Sequence, residues 1–196
     1  MSKISLEPND SGAGTFTLAA PNSNTNRTLT LPDASGNIIA ADASTGRFDS
    51  SNMPAGSVIQ VVYARPSLPS TTISSSTYQD SGLEASITPT STTSKILVQW
   101  AIHARSLNDD EDNGGSFRIL RNGTEVTSDT PDFIGFSGEL DFSTVTAVDI
   151  FLDSPSTESS VTYKVQARNR NGAPKSINLH VNSRAEPSMV LMEIAG

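Results

Sequence analysis

Nine consecutive residues set the class of fold. In Ile96-Leu97-Val98-Gln99-Trp100-Ala101-Ile102-His103-Ala104, the side chains of Ile96, Val98, Trp100, Ile102 and Ala104 fall on one side of an extended chain. Gln99, His103 and then Arg105 fall on the other. Strand side chains alternate between faces, so this period of two predicts a strand with one buried face. The pattern returns from Ser160 to Arg168, with Val161, Tyr163, Val165 and Ala167 together. Thr144 to Leu152 is apolar almost throughout and predicts a strand buried on both sides. Apolar residues at helical spacing are nearly absent, so no helix is expected.

Turn chemistry fills in the rest. Asn122-Gly123 stands between Phe117–Arg121 and Thr124-Glu125-Val126, a strong short hairpin signal. Val58–Tyr63, Leu83–Thr88, Ile177–Val181 and Met189–Ile194 are further β-forming runs. Eight to ten such strands between residues 57 and 196 suit a two-sheet sandwich or jelly roll rather than βαβ units. The last run ends two residues before Gly196, which predicts a C-terminus tied into a sheet.

Composition narrows the function. The 196 residues include no cysteine, so disulfides, thiolate metal sites and a Cys nucleophile are excluded. No apolar run approaches the roughly 18–20 residues that span a bilayer. The opening Met-Ser-Lys-Ile-Ser-Leu-Glu-Pro lacks a signal peptide's apolar stretch, so ordinary secretion is not expected. The net charge is -8. Residues 1–56 hold 3 basic and 5 acidic groups and residues 57–196 hold 10 and 16, so neither part offers an electrostatic footprint for nucleic acid or anionic lipid.

Residues 1–53 differ from the remainder. Ile4 and Leu6, Phe16 and Leu18, and Leu29 and Leu31 alternate as in strands, but they supply too little apolar area for a core of their own. Copies of the same chain around an axis would bury them, which predicts an interwoven trimeric β-stalk joined to the head near Pro54-Ala55-Gly56.

The chemistry-bearing residues mostly have plain explanations. His103 and His180 both read as surface residues on strands, His180 beside Asn178 and Asn182, without converging metal ligands. No Gly-x-Ser-x-Gly elbow or phosphate loop is present, and no enzyme activity is expected. Asn108–Gly115 reads as an exposed loop. Its Asp109, Asp110 and Asp112 offer carboxylates to calcium, but the twelfth position from Asp110 is Arg121 rather than Glu. No metal or other cofactor is expected. Phe133 and Phe136 lie among glycines in Thr130–Gly138, and Arg168 and Arg170 precede a turn in Arg168–Lys175. With Asp110 and Asp112 these make the receptor-contact candidates, although Phe133 and Phe136 equally suit one end of a sandwich, and the two arginines suit salt bridges. Trp100 belongs to the core.

Gly14-Thr15-Phe16-Thr17-Leu18-Ala19-Ala20-Pro21 and Arg27-Thr28-Leu29-Thr30-Leu31-Pro32-Asp33-Ala34-Ser35-Gly36 resemble a module of bacteriophage fibre proteins. Pro54–Val61, Ser94–Val98, Phe117–Gly123, Tyr163–Ala167 and Leu191–Gly196 resemble the heads of marine-phage tail-fibre and virion structural proteins. The resemblance implies a homotrimer on the virion surface, assembled in the host cytoplasm, with an all-β head and no cofactor. Residues 1–53 would dock on tail, collar or capsid proteins. Residues 54–196 would form a jelly-roll-like head that contacts a host glycan or protein. Two alternatives stand beside this fibre: a capsid decoration or cement protein that clamps capsid subunits, and a virion-borne carbohydrate-active enzyme.

Overall fold

The longest strand of the protein is the one that alternation marks most plainly. In the computed structural model, which describes residues 11–15, 22, 24–26, 28, 53–106, 113–126, 144–180 and 186–196, it spans Lys95–Ser106. The chain divides into two units, Met1–Ile38 and Ile39–Gly196, and the fold that follows belongs to the second. In chain order the strands are β1 (Val58–Ala64), β2 (Thr71–Ile73), β3 (Gln79–Ile87), β4 (Lys95–Ser106) and β5 (Gly115–Arg121). They continue as β6 (Thr124–Glu125), β7 (Thr144–Asp153), β8 (Val161–Asn169), β9 (Ile177–Leu179) and β10 (Ser188–Ile194). Among the described residues there is no helix.

The strands form two antiparallel sheets. In the first, β4 carries β7 along one edge, and β10 followed by β9 along the other. β1 then pairs with β10, and β2 with β9. The second sheet runs β3-β8-β5-β6. β9 and β10 lie in line on β4: Leu179 stands opposite Ala104 and Ser188 opposite Ala101. β1 and β2 are interrupted at the same level by residues 65–70, and Arg65 reaches Glu186 across the two interruptions at 3.1 Å. Counting each interrupted pair as one strand leaves eight, paired in a nested order. The first pairs with the last, β3 with β8, β4 with β7, and β5 with β6.

The inner faces of both sheets share one core. Val98, Ile102 and Leu191 from the first sheet meet Leu83, Ile119 and Val165 from the second, all fully buried. Each such side chain contributes about 1.5–3 kcal/mol on leaving water. Trp100 packs across the sandwich on Phe117, ring centroids 5.6 Å apart. An ion pair also crosses it: Arg121 Nη1 on β5 holds Asp153 Oδ1 and Oδ2 on β7 at 2.8 and 2.7 Å. The Tyr163 hydroxyl donates to the same carboxylate at 2.6 Å. Burial, then the Asp153 carboxylate, push the Tyr163 pKa far up, so the phenol remains a donor.

Several sequence expectations hold. β4 and β8 bury the predicted faces, and Asn122-Gly123 makes the β5–β6 turn with φ of 48° and 86°, as a two-residue hairpin loop demands. The terminus is tied in, since Ala195 N donates to Ser57 O and Gly56 N to Ala195 O, both at 2.8 Å.

Three expectations are corrected. β7 is not buried on both sides: it pairs along one edge with β4, and Val148, Ile150 and Leu152 are exposed. His180 is not on the surface. Its φ of 59° breaks the alternation just past β9 and turns the ring inward, where it is 4% exposed beside Ser81 O, 2.7 Å from Nε2. The end of the acidic stretch is not an exposed loop either, because Asn113, Gly114 and Gly115 are buried. Ile177 Cδ1 lies 2.6 Å from where a Cβ on Gly115 would stand, so any larger residue there must displace the buried Ile177 side chain.

Candidate functional site

Each sheet has an outer face, and the two differ in chemistry. On the second sheet, alternation turns Thr162, Lys164, Gln166 and Arg168 of β8 outward, opposite the buried Val161, Tyr163, Val165 and Ala167. The register brings Asp80 and Glu84 of β3 beside Gln166 and Lys164. On the other flank Arg118 of β5 sits beside Gln166.

These groups make one ladder across four strands. Arg118 Nε and Nη2 donate to Gln166 Oε1 at 2.9 and 2.7 Å, and its Nη1 reaches Glu125 Oε2 at 3.0 Å. Gln166 Nε2 donates to Asp80 Oδ1 at 2.7 Å. Lys164 Nζ bridges Asp80 at 2.9 Å and Glu84 at 3.3 Å. The Gln166 amide and the Lys164 ammonium hold the Asp80 carboxyl below its usual range, against a smaller opposing effect of burial. Hydrogen bonds to Asp80 and Glu84 raise the Lys164 pKa in turn. Exposed pairs of this kind add little stability, about 0–1 kcal/mol each, but they fix where each polar atom points.

An aromatic ring stands at one end of the ladder. The guanidinium carbons of Arg118 and Arg168 lie 4.3 and 5.0 Å from the centre of the Tyr78 ring, within cation–π range. Toward the other end, Asp80, Glu84, Leu120, Asn122, Thr162 and Lys164 line an open groove of about 440 Å³. The face thus offers donors, acceptors and an aromatic surface in fixed places. Among the described residues no three His, Asp or Glu side chains converge as metal ligands.

A buried amide network braces the end of the sandwich next to Arg168. Asn169 Nδ2 donates to Asn113 Oδ1 at 2.8 Å, and Asn113 Nδ2 donates to Ser106 Oγ and Ser176 O, both at 2.8 Å. Asn169 Oδ1 accepts from the backbone N–H groups of Asn171 and Gly172 at 2.9 and 2.8 Å, closing the turn after β8. Arg170 lies in that turn, beyond the strand that carries Arg168, and its N–H donates to Gly114 O at 2.8 Å. Asn113 and Gly114, at the end of one candidate loop, therefore lie against the start of another, at Asn169 and Arg170.

Among the described residues, the outer face of the first sheet has no such ladder. Val58, Val61 and Tyr63 on β1 and Val148, Ile150 and Leu152 on β7 are its exposed large apolar side chains. Of the residues singled out from sequence, Ile4, Leu6, Phe16, Leu18, Leu29, Leu31, Asp109, Asp110, Asp112, Phe133 and Phe136 lie outside the described residues. Tyr78, Asp80, Arg118, Lys164 and Gln166 were not anticipated. The alternation of β8 contained the signal for Lys164 and Gln166, but their partners come from pairing across strands.

No family model and no curated protein matches the chain. Among solved structures, it is similar to dimeric latent PorU from Porphyromonas gingivalis, with 11% identity and a TM-score of 0.32, over 76% of this chain and 14% of that one.

Proposed function

We propose that the chain is a non-enzymatic structural protein of a bacteriophage virion. It forms a homotrimeric short fibre: residues 1–53 dock on the particle, and the sandwich, a jelly roll, contacts the host surface. The nested pairing carries this reading. First with last, second with seventh, third with sixth and fourth with fifth is the order produced by rolling one long antiparallel hairpin about a single core. That order supports the eight-stranded jelly roll, an architecture frequent in viral capsid and lectin domains. The resemblance of residues 14–36 and of the head motifs to phage fibre proteins supports the same assignment.

The polar face of the second sheet suits the contact with a host glycan. Asp80, Glu84 and Gln166 supply acceptors for sugar hydroxyls, Lys164 and Arg118 supply donors, and Tyr78 supplies ring surface. Their mutual hydrogen bonds set the geometry before binding, which lowers its entropic cost. Three copies on one fibre raise a weak single contact through effective concentration.

Labelled full-length protein mixed with host cells tests this. Saturable binding that falls at least tenfold in Tyr78→Ala and Arg118→Ala supports the host-contact role. Absence of binding, together with normal adsorption by particles lacking the protein, overturns it. Capsids that fall apart in that experiment would favour the cement function instead.

A further inference from the structure

We propose that the outer face of β1-β10-β4-β7 is the surface through which copies of this chain pack against one another. The middle of the face is largely apolar, interrupted at the exposed Gln99. Tyr63, Val190, Gln99 and Ile150 stand in one row across the four strands, and Val61, Met192, Leu97 and Leu152 in the next. Val58, Val61, Tyr63, Val148, Ile150 and Leu152 are each 51–60% exposed. These six side chains alone leave on the order of 600 Å² of apolar surface in water, the upper end for the largest patch on an ordinary monomer. With the half-buried Leu97, Val190 and Met192 between them, the face approaches the roughly 800 Å² per partner of a stable protein–protein interface.

Charge selects the occupant. The chain holds 21 Asp and Glu and a net charge of -8, so two copies repel wherever their carboxylates face each other. Alternation along these four strands puts Lys95, His103 and Arg105 outward but no carboxylate: Asp149, Asp153 and Glu193 all fall at inward positions. The opposite sheet face, by contrast, carries Asp80, Glu84 and Glu125. The acid-free face is where like copies approach without that repulsion, and each copy brings the same face at the same concentration. The exposed large apolar residues lie on its two flanking strands, so the β7 flank of one copy meeting the β1 flank of the next closes a ring. The count of three rests on the homotrimer proposed above; the contact itself does not.

The absence of cysteine makes a direct test possible. Full-length Val61→Cys/Ile150→Cys protein is treated with a short bis-maleimide and run on a denaturing gel. Most chains should be joined into species up to three times the 20.7 kDa of one chain. A Ser86→Cys control, on the outer face of the second sheet, should show at least tenfold less joining. Linkage at the control level overturns the proposed contact. So does a bridge formed only within one chain, or only to a different protein when the variant is assembled into particles. Light scattering on the untreated protein separates the two ideas. A trimer that fails to cross-link contradicts this interface and leaves the trimer standing, whereas a monomer removes both.

Discussion

Glu193 is a fully buried carboxylate with no ion-pair partner among the described residues, and removing it should damage the head more than its position near the C-terminus suggests. Its Oε2 accepts from Gln60 Nε2 at 2.6 Å, and its Oε1 accepts from Thr90 N and Thr90 Oγ1, each at 2.7 Å. The Ser94 side chain donates as well. Glu193 thereby ties the β3–β4 connection to β1 and β10. In Glu193→Ala, Thr90 can turn to water because it is exposed, but Gln60 and the buried Ser94 lose an acceptor. Each orphaned donor costs about 1–3 kcal/mol, and the lost side-chain packing about 1–2 more. The sum is about 3–8 kcal/mol, which lowers the midpoint of thermal unfolding by roughly 10–25 °C. Glu193→Gln keeps the shape and the Thr90 contacts, so its cost should be about 1–2 kcal/mol.

Acid distinguishes the two substitutions further. Burial raises the Glu193 pKa, but the donors of Gln60, Ser94 and Thr90 outweigh it and hold the folded value below the ordinary 4.5. The ionised group therefore stabilises the fold fully above the unfolded pKa, and this contribution is lost as pH falls through the lower, folded one. Urea unfolding should show the gap between the native chain and Glu193→Gln at its widest at pH 7 and closing toward pH 3. A Glu193→Ala chain within 1 kcal/mol of native, or a gap that does not change with pH, refutes this role.

Three further outcomes follow from the same structure. Asn169→Leu orphans Asn113 Oδ1 and the N–H groups of Asn171 and Gly172, and should cost about 3–5 kcal/mol in chemical unfolding. Burial holds the His180 pKa below 6.5 despite its bond to Ser81, so the folded state resists protonation. Stability should fall as pH drops from 6.5 toward that lower pKa and level off below it; His180→Asn, which tolerates the positive φ, should remove this slope. Gly123→Ala forces a Cβ onto a φ of 86° and should cost about 1 kcal/mol by thermal unfolding, with no change in oligomer mass.

How much of this was legible in the sequence depends on what alternation encodes. It gives the buried face of β4 and β8 directly, because those strands have one inner and one outer side. It cannot separate a strand buried by its own chain on both faces from one whose second face is open, and the apolar run of β7 is of the second kind. Alternation also fails where the backbone leaves the extended region. His180, two residues after Asn178, should share its face, but a left-handed φ intervenes. β2 has only three residues, too few to show a period. The ladder from Glu125 to Glu84 depends on which strands pair and in what register, and that order is nested over the whole head rather than written locally. The sequence marked Arg168 as a contact candidate, but only the fold puts it over Tyr78.

The central claim is that this β-sandwich works as an assembly of its own copies. Native mass spectrometry of the full-length chain tests it most directly. The account predicts a dominant species at three times 20.7 kDa that persists at low micromolar concentration. A single species at 20.7 kDa would contradict it.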